Sequence, residues 1–426
     1  MYTYLRQERI TSMLNAMKTQ GRGLAPQQVR GMNRAVVLQL FRRFRQLSRA
    51  DIARHSGMSE GTVSRIIAEL MQERLVSEQG VENSTGGRPG TLLRLDSSHF
   101  HAVGAEIQNW ETRVAVGTLE GRMVASESFR TPASPPKALD AVADAFRSLS
   151  RPYGAERLEG LGVSVRGIVN SESGVLEVGN NPAWTGLAVR AQLEQRVGFP
   201  VYVENNIRSA ALVEYSLGVP EAHASHSLLY VMVNEGVGMG IVLGGQLYRG
   251  PHNAAGEFGQ MVIADSPGDG GQDRPGCLES LASNPALCDR YAELSGNPRK
   301  SSEETAARAR QICYLALQGD EAARQAVTEV SRYLGIGIAN AVWGLDADMV
   351  VIDGVLTEAW PLVSKAIRNQ FPADRELQTF THLDLRPCFF RGDASLLGAV
   401  ALPFAHIFNT GQRGVTGNGS ARNGGK

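Results

Sequence analysis

The thirty residues from Leu47 to Val76, LSRADIARHSGMSEGTVSRIIAELMQERLV, leave the chain little choice locally. Ser48 followed by Asp51 is a capping pair that opens a short helix, Arg49 to His55, with Ile52 and Ala53 facing inward. Ser56-Gly57-Met58 makes a turn in which Gly57 is free to take the left-handed backbone. Ser59 then caps a second helix whose inner side is Val63, Ile66, Ile67 and Leu70. Upstream, Asn33 to Phe44 puts Val36, Val37, Leu40 and Phe44 on one helical face. Length, glycine position and periodicity together predict a helix-turn-helix. A helical hairpin without a nucleic-acid role is the rival. The basic flanks Arg42, Arg43, Arg45, Arg49 and Arg54 weigh against it.

The second helix is the one expected in a major groove. Its outward residues near the start are Ser59, Gly61, Thr62, Ser64 and Arg65. Small and hydroxyl side chains permit close approach, while Arg65 can reach a phosphate or a guanine edge, and Arg49 is a further DNA-binding candidate. Leu75–Glu78 and Thr91–Leu95 read as two wing strands around a Gly/Ser/Thr-rich loop. In that loop Arg88, held between glycine and proline in GGRPG, suits a minor groove; a plain linker is the other reading. Charge agrees with the DNA reading. Residues 1–95 carry 15 Lys+Arg against 7 Asp+Glu, and the remainder carries 28 against 36, so a +8 head sits on a −8 body.

From about Ala102 the pattern changes to alternating strands and helices, which implies a layered α/β body. FHAVGAEIQNWETRVAVGTLEGRMVASESF reads as three strands joined by turns, and Leu119 to Arg122 is a hairpin signal. Further on, FPVYVENNIRSAALVEY (Phe199–Tyr215) passes from a buried strand into an Ala-rich helix, with Glu204, Asn205 and Asn206 at the corner. Such corners hold ligands in α/β proteins. The four cysteines are few and unclustered, as in a reducing cytoplasm. Neither a signal peptide nor an apolar stretch of membrane-spanning length is visible, so a cytoplasmic protein is expected. The expected parts are an N-terminal helix or linker (1–32), a winged helix-turn-helix (33–96), a two-lobed body (97–408) and a low-complexity, disordered tail (409–426).

Taken in order, GRPGTLLRL, GVSVRGIV, NNPAW, VENNIRSAALVE, LLYVMVNEGVGMGIVLGGQLYRG, NAAGEFGQM, GCLESLAS, LGIGIANAVWGLDADMVVIDG and LLGAVAL resemble the ROK family (repressors, open reading frames and kinases), in its repressor branch. The resemblance implies a fold of two actin-like ATPase (ribonuclease H-like) lobes behind the winged helix. It further implies a sugar pocket formed by Asn180, Asn205, Asn206, Glu257 and Glu279, with Gln260 pointing at the same ligand. Asn181 is the alternative to Asn180 within NNPAW. An amide and carboxylate cluster complements sugar hydroxyls, because each unpaired buried polar group costs roughly 1–3 kcal/mol.

Four departures from the family pattern follow. A phosphate loop of the type D-x-G-G-T-K is replaced by EIQNWETRV (Glu106–Val114), where Asn109-Trp110 would fill the glycine space and Glu111 would face the phosphates. Asn234 and Glu235 replace small residues in a second glycine turn. The kinases resemble this chain at E-N-D, whose aspartate is a general base; Asn206 stands there and has no useful basicity. Of a four-ligand zinc site only Cys277 remains, with Gly270, Gln272 and Gln260 at the other positions, so no zinc and no ATP are expected. The expectation is therefore a non-enzymatic regulator, more often a repressor, of double-stranded operator DNA. It would act as a homodimer or homotetramer, with a sugar-like effector and no membrane partner. Its rivals are a bifunctional sugar kinase with a DNA-binding domain and a regulator controlled by a partner protein, its pocket a relic.

Overall fold

Capping and hydrophobic patterning close the N-terminal unit as read. The computed structural model describes residues 26–81, 90–219, 221–222, 225–264, 276–296, 305–371 and 383–408. Helix α1 (Pro26–Phe44) is followed by β1 (Gln46–Leu47), α2 (Arg49–Ser56), α3 (Glu60–Gln72), β2 (Val76–Val81) and β3 (Thr91–Leu95). The strands form an antiparallel wing in the order β1-β3-β2. Ser48 caps α2 in a full capping box with Asp51, and Gly57 ends it at φ 70°. Ser59 caps α3 through the Thr62 N–H. Leu38, Phe41, Ile52, Val63, Ile67, Leu70 and Leu93 are buried.

Two expectations change here. Helix α1 starts at Pro26, before residue 33, and its buried face is Met32, Ala35, Val37, Leu38, Leu40 and Phe41. Val36 and Phe44 are only half-buried, because the helix is covered over a wider arc than one stripe. The segment from Pro403 groups with this unit and not with the body. Phe408 lies under the Arg42 guanidinium, 3.6 Å from its ring centre, and the Phe408 carbonyl accepts from Gln39 at 3.5 Å. Residues 1–25, Arg88 and 409–426 lie outside the described residues.

The body contains two sheets of five strands with one topology. The first takes β4 (His101–Ile107), β5 (Glu111–Thr118), β6 (Met123–Arg130), β7 (Leu158–Val165) and β10 (Val201–Asn205), in the order β10-β7-β4-β5-β6. Helix α4 (Pro135–Ser150), the hairpin β8 (Gly167–Asn170) and β9 (Val175–Gly179), and α5 (Val189–Val197) connect them. Helix α6 (Asn206–Leu217) leads into the second sheet. That sheet takes β11 (Ser227–Val233), β12 (Val237–Leu243), β13 (Gln246–Tyr248), β14 (Met349–Gly354) and β15 (Asp384–Pro387), in the order β13-β12-β11-β14-β15. In each sheet the outer hairpin is antiparallel and the later strands add in parallel. This repeat is the two-lobed actin-like arrangement.

Helices α7 (Leu278–Ala282), α8 (Asn284–Ser295), α9 (Thr305–Gln318), α10 (Glu321–Leu345) and α11 (Trp360–Arg368) cover the second sheet. Helix α12 (Ala394–Ala401) returns against α6, and α13 (Ala405–Phe408) is the segment that lies on α1. The α12–α6 approach depends on Gly398: a Cβ there would sit 2.2 Å from the Ser209 carbonyl oxygen. Among the described residues no helix is long and apolar enough to cross a membrane.

Candidate nucleic-acid interface and ligand cleft

On α3 the core side is Val63, Ile66, Ile67 and Leu70, which turns Ser59, Gly61, Ser64 and Arg65 to the exposed side. Thr62 is half-buried, its hydroxyl 2.9 Å from that of Ser59. Gly61 has open space where a Cβ would be, so the helix start is accessible to a broad surface. Arg65 is exposed and makes no hydrogen bond or ion pair among the described residues. Arg49 is less available than its sequence position suggests: its guanidinium meets Glu78 on β2 at 3.3 Å and the Met71 sulfur at 3.9 Å. Arg54 pairs with Asp51, and Arg42 is taken up by Phe408. Arg30 and Arg34 of α1 reach Glu69 of α3 and Glu73, which caps its C-terminus, at 2.6 and 2.5 Å.

The corner between β10 and α6 is more committed than its sequence shows. Glu204 is buried and ion-paired to Arg208 at 2.7 Å and to Arg249 at 2.8 Å, and it also accepts from Ser171 Oγ at 2.8 Å. Arg208 goes on to the carbonyls of Val169 (2.7 Å) and Asn253 (3.0 Å). Burial draws the Arg208 pKa down while Glu204 opposes that shift. Asn205 Oδ1 accepts from the N–H groups of Ile207 and Arg208, capping α6, and its Nδ2 donates to Gly167 O at 2.9 Å. Its amide is thus spent on the fold. Asn206 is different: its Nδ2 faces the Met232 sulfur at 3.6 Å, and its Oδ1 is buried without a hydrogen-bond partner among the described residues.

Two carboxylates complete the cleft. Glu279 Oε2 accepts from Val237 N–H at 3.0 Å. Glu257 is an exposed residue whose carboxyl is lifted above the usual range, first by desolvation and then by Glu279, against the pull of Arg208. Asn180 and Gln260 are both exposed, and neither is hydrogen-bonded by side chain to this group. Asn181 is occupied in a turn, where its Oδ1 accepts from Ala183 N–H at 3.0 Å. Sequence reading missed Arg208 and Arg249. The i, i+4 spacing of Glu204 and Arg208 was the available signal for the first; Arg249 had none, because it arrives from a distant loop.

Where the family resemblance puts a nucleotide phosphate loop, the side chains fall differently from the expectation. Trp110 is 77% exposed and fills nothing, since the turn at 108–110 points it outward. Arg113 takes the interior instead. It binds Glu106 through Nε (2.9 Å) and Nη2 (2.6 Å), Asp393 through Nη1 (2.8 Å) and the Gly392 carbonyl (2.6 Å). Burial works against the Arg113 cation, but Glu106 and Asp393 outweigh it and raise its pKa. Glu111, Asn234 and Glu235 are exposed. Cys277 is buried at the start of α7. Among the described residues no three His, Cys, Asp or Glu side chains are grouped to hold a metal; Gly270 and Gln272 lie outside them.

A winged helix-turn-helix whose second helix exposes Ser59, Gly61, Ser64 and Arg65, joined to two repeated lobes around an amide and carboxylate corner, defines a class: DNA-binding transcriptional regulators built on a sugar-kinase-like body. The ROK family profile matches residues 103–405, and the chain belongs to that family. The IclR helix-turn-helix domain matches residues 35–80. The chain is 26% identical over 394 residues to the xylose repressor of Caldicellulosiruptor bescii, covering 89% of this chain and 96% of that one. It is 27% identical over 345 residues to the DNA-binding transcriptional dual regulator NagC of Escherichia coli K12, covering 80% and 84%. In fold it is similar to a ROK family transcriptional regulator that is a homologue of the E. coli MLC protein (TM-score 0.71, 24% identity, 89% and 97% coverage). A ROK hexokinase from Thermus thermophilus matches the body (TM-score 0.60, 29% identity, 72% and 99% coverage).

Proposed function

We propose that this regulator is a repressor whose kinase-like body senses a sugar or sugar derivative and performs no phosphoryl transfer. The observation that carries the reading is Asn206. It stands at the head of α6 with a buried, unpaired carbonyl oxygen, where the resemblance to kinases puts a proton-accepting aspartate. A carboxamide hydrogen-bonds a sugar hydroxyl but does not deprotonate it. Arg113, Glu106 and Asp393 support the same reading, because the one guanidinium is taken up by two carboxylates and the trio is left net negative where a nucleotide phosphate would need donors.

Asn180, Asn206, Glu257, Gln260 and Glu279 would meet the effector, with Asn205 holding the corner in place. The head would read two-fold operator DNA through Ser59, Gly61, Thr62, Ser64 and Arg65, with Arg49 and Arg88 on the backbone or minor groove, and the chain would act as a dimer or tetramer. An effector changes operator affinity only through unequal affinity for two states of the body. The relatives named for xylose and for N-acetylglucosamine regulation favour a sugar.

The test is a paired assay on the full chain. Operator fragments should bind without sugar and be released by one member of a sugar panel, while the same panel with ATP and magnesium yields no sugar phosphate. ATP-dependent phosphorylation above background defeats the reading.

A further inference from the structure

Resting on that reading, we propose that the effector carries an anionic group, a carboxylate or a phosphate, and that Arg166 is the residue that selects it. Arg166 lies between β7 and β8, at the end of the first sheet that faces the corner. It is half-buried, and among the described residues its guanidinium makes no hydrogen bond or ion pair. It lies beside Gly236 of the second lobe. A Cβ on Gly236 would sit 3.1 Å from Arg166 Nη2 and 2.4 Å from Glu279 Oε2. The guanidinium therefore flanks the Glu279 carboxylate of the cleft, and Gly236 is the residue that leaves room for both.

The other arginines at the corner are already used. Arg208 and Arg249 converge on Glu204. Glu279 Oε2 is engaged by the Val237 amide. Arg166 offers five donors and accepts nothing. Closing the cleft removes water from those donors, and each one left unmatched then costs free energy. An oxyanion meets a guanidinium in two parallel charge-assisted hydrogen bonds, roughly twice as strong as those that neutral sugar hydroxyls accept. Because Arg166 belongs to the first lobe and Glu279 to the second, an anionic sugar held by both would tie lobe position to occupancy.

The experiment is binding to the full-length protein, by thermal shift and calorimetry, of matched probes: glucose, glucuronate, its neutral methyl ester, gluconate and glucose 6-phosphate, with the xylose and N-acetylglucosamine counterparts. One anion should bind at least about tenfold tighter than its neutral match, the worth of a charged hydrogen-bonded pair. Arg166→Ala should bring that ratio near one, and Arg166→Lys should retain part of it, with ligand-free melting checking that each variant is folded. Carboxylate and phosphate probes separate the two sources of charge. A neutral sugar bound as tightly as its anion, or an anion preference that survives in Arg166→Ala, overturns the assignment and leaves the sugar-sensor reading standing. If no probe of either kind binds the wild-type protein, both readings fall together.

Discussion

Glu214 sits on the inner side of α6 and is fully buried. It accepts from the Phe389 N–H at 3.0 Å and from the Cys388 thiol at 3.2 Å, and both donors are uncharged. Nearby, Tyr230 donates to Asp353 at 2.7 Å and approaches Cys388 Sγ at 3.5 Å. Burial raises both carboxyl groups; Asp353 adds to the shift at Glu214, while Glu106 raises and Arg113 lowers that of Asp353. A carboxyl whose folded pKa exceeds its unfolded value contributes stability below the unfolded value. That contribution is lost as pH rises through the folded one. Urea unfolding should therefore show the wild type losing stability as pH rises above the ordinary carboxylate range. Glu214→Gln should flatten that slope and stay within about 1 kcal/mol of wild type at neutral pH, since an amide oxygen still accepts the Phe389 N–H. Glu214→Ala should cost about 3 kcal/mol by leaving donors unmatched around a cavity. An unchanged slope in Glu214→Gln would remove Glu214 as the cause.

At the scale of elements, helix α6 is held by one side chain in two ways. Asn205 caps its first turn and ties Gly167 of β8 to the same point. Asn205→Ala should cost about 1–2 kcal/mol in unfolding experiments, the usual worth of a cap with one added hydrogen bond. Asn205→Asp keeps the cap oxygen but sets a carboxylate against the Gly167 carbonyl. If the tie to β8 matters for the cleft, this variant should lose effector affinity even where the helix keeps its stability. The element pattern here was legible in sequence, since VYVENNIRSAALVEY changes period at the corner and caps are local chemistry. Use of the cap was not: sequence placed Asn205 in the ligand set, and only the neighbouring Gly167 shows the amide to be spent. Trp110 and Arg113 teach the same lesson. A departure from a glycine loop was visible in the residues, but which side chain turns inward is decided by partners nearly 280 positions away.

At the scale of the molecule, a net charge of zero is divided into a basic head and an acidic body. DNA is a polyanion, so the body contributes no attraction and the head must supply the electrostatic part of binding. Many of the head's cations are already matched internally: Arg30 with Glu69, Arg34 with Glu73, Arg49 with Glu78 and Arg54 with Asp51. Arg65 is exposed on α3 with no such partner among the described residues. Each phosphate neutralised contributes about 0.9 to the slope of log affinity against log salt. If Arg65 contacts a phosphate, Arg65→Ala should weaken operator and non-operator DNA alike and reduce that slope by about one per head. If it reads a guanine edge, the loss should be about 1–3 kcal/mol, confined to operators with that base, with a smaller change in slope. Titrations at several salt concentrations on both DNAs separate the two. A variant that binds both DNAs as the wild type does would take Arg65 out of the interface and move the reading surface elsewhere on the head.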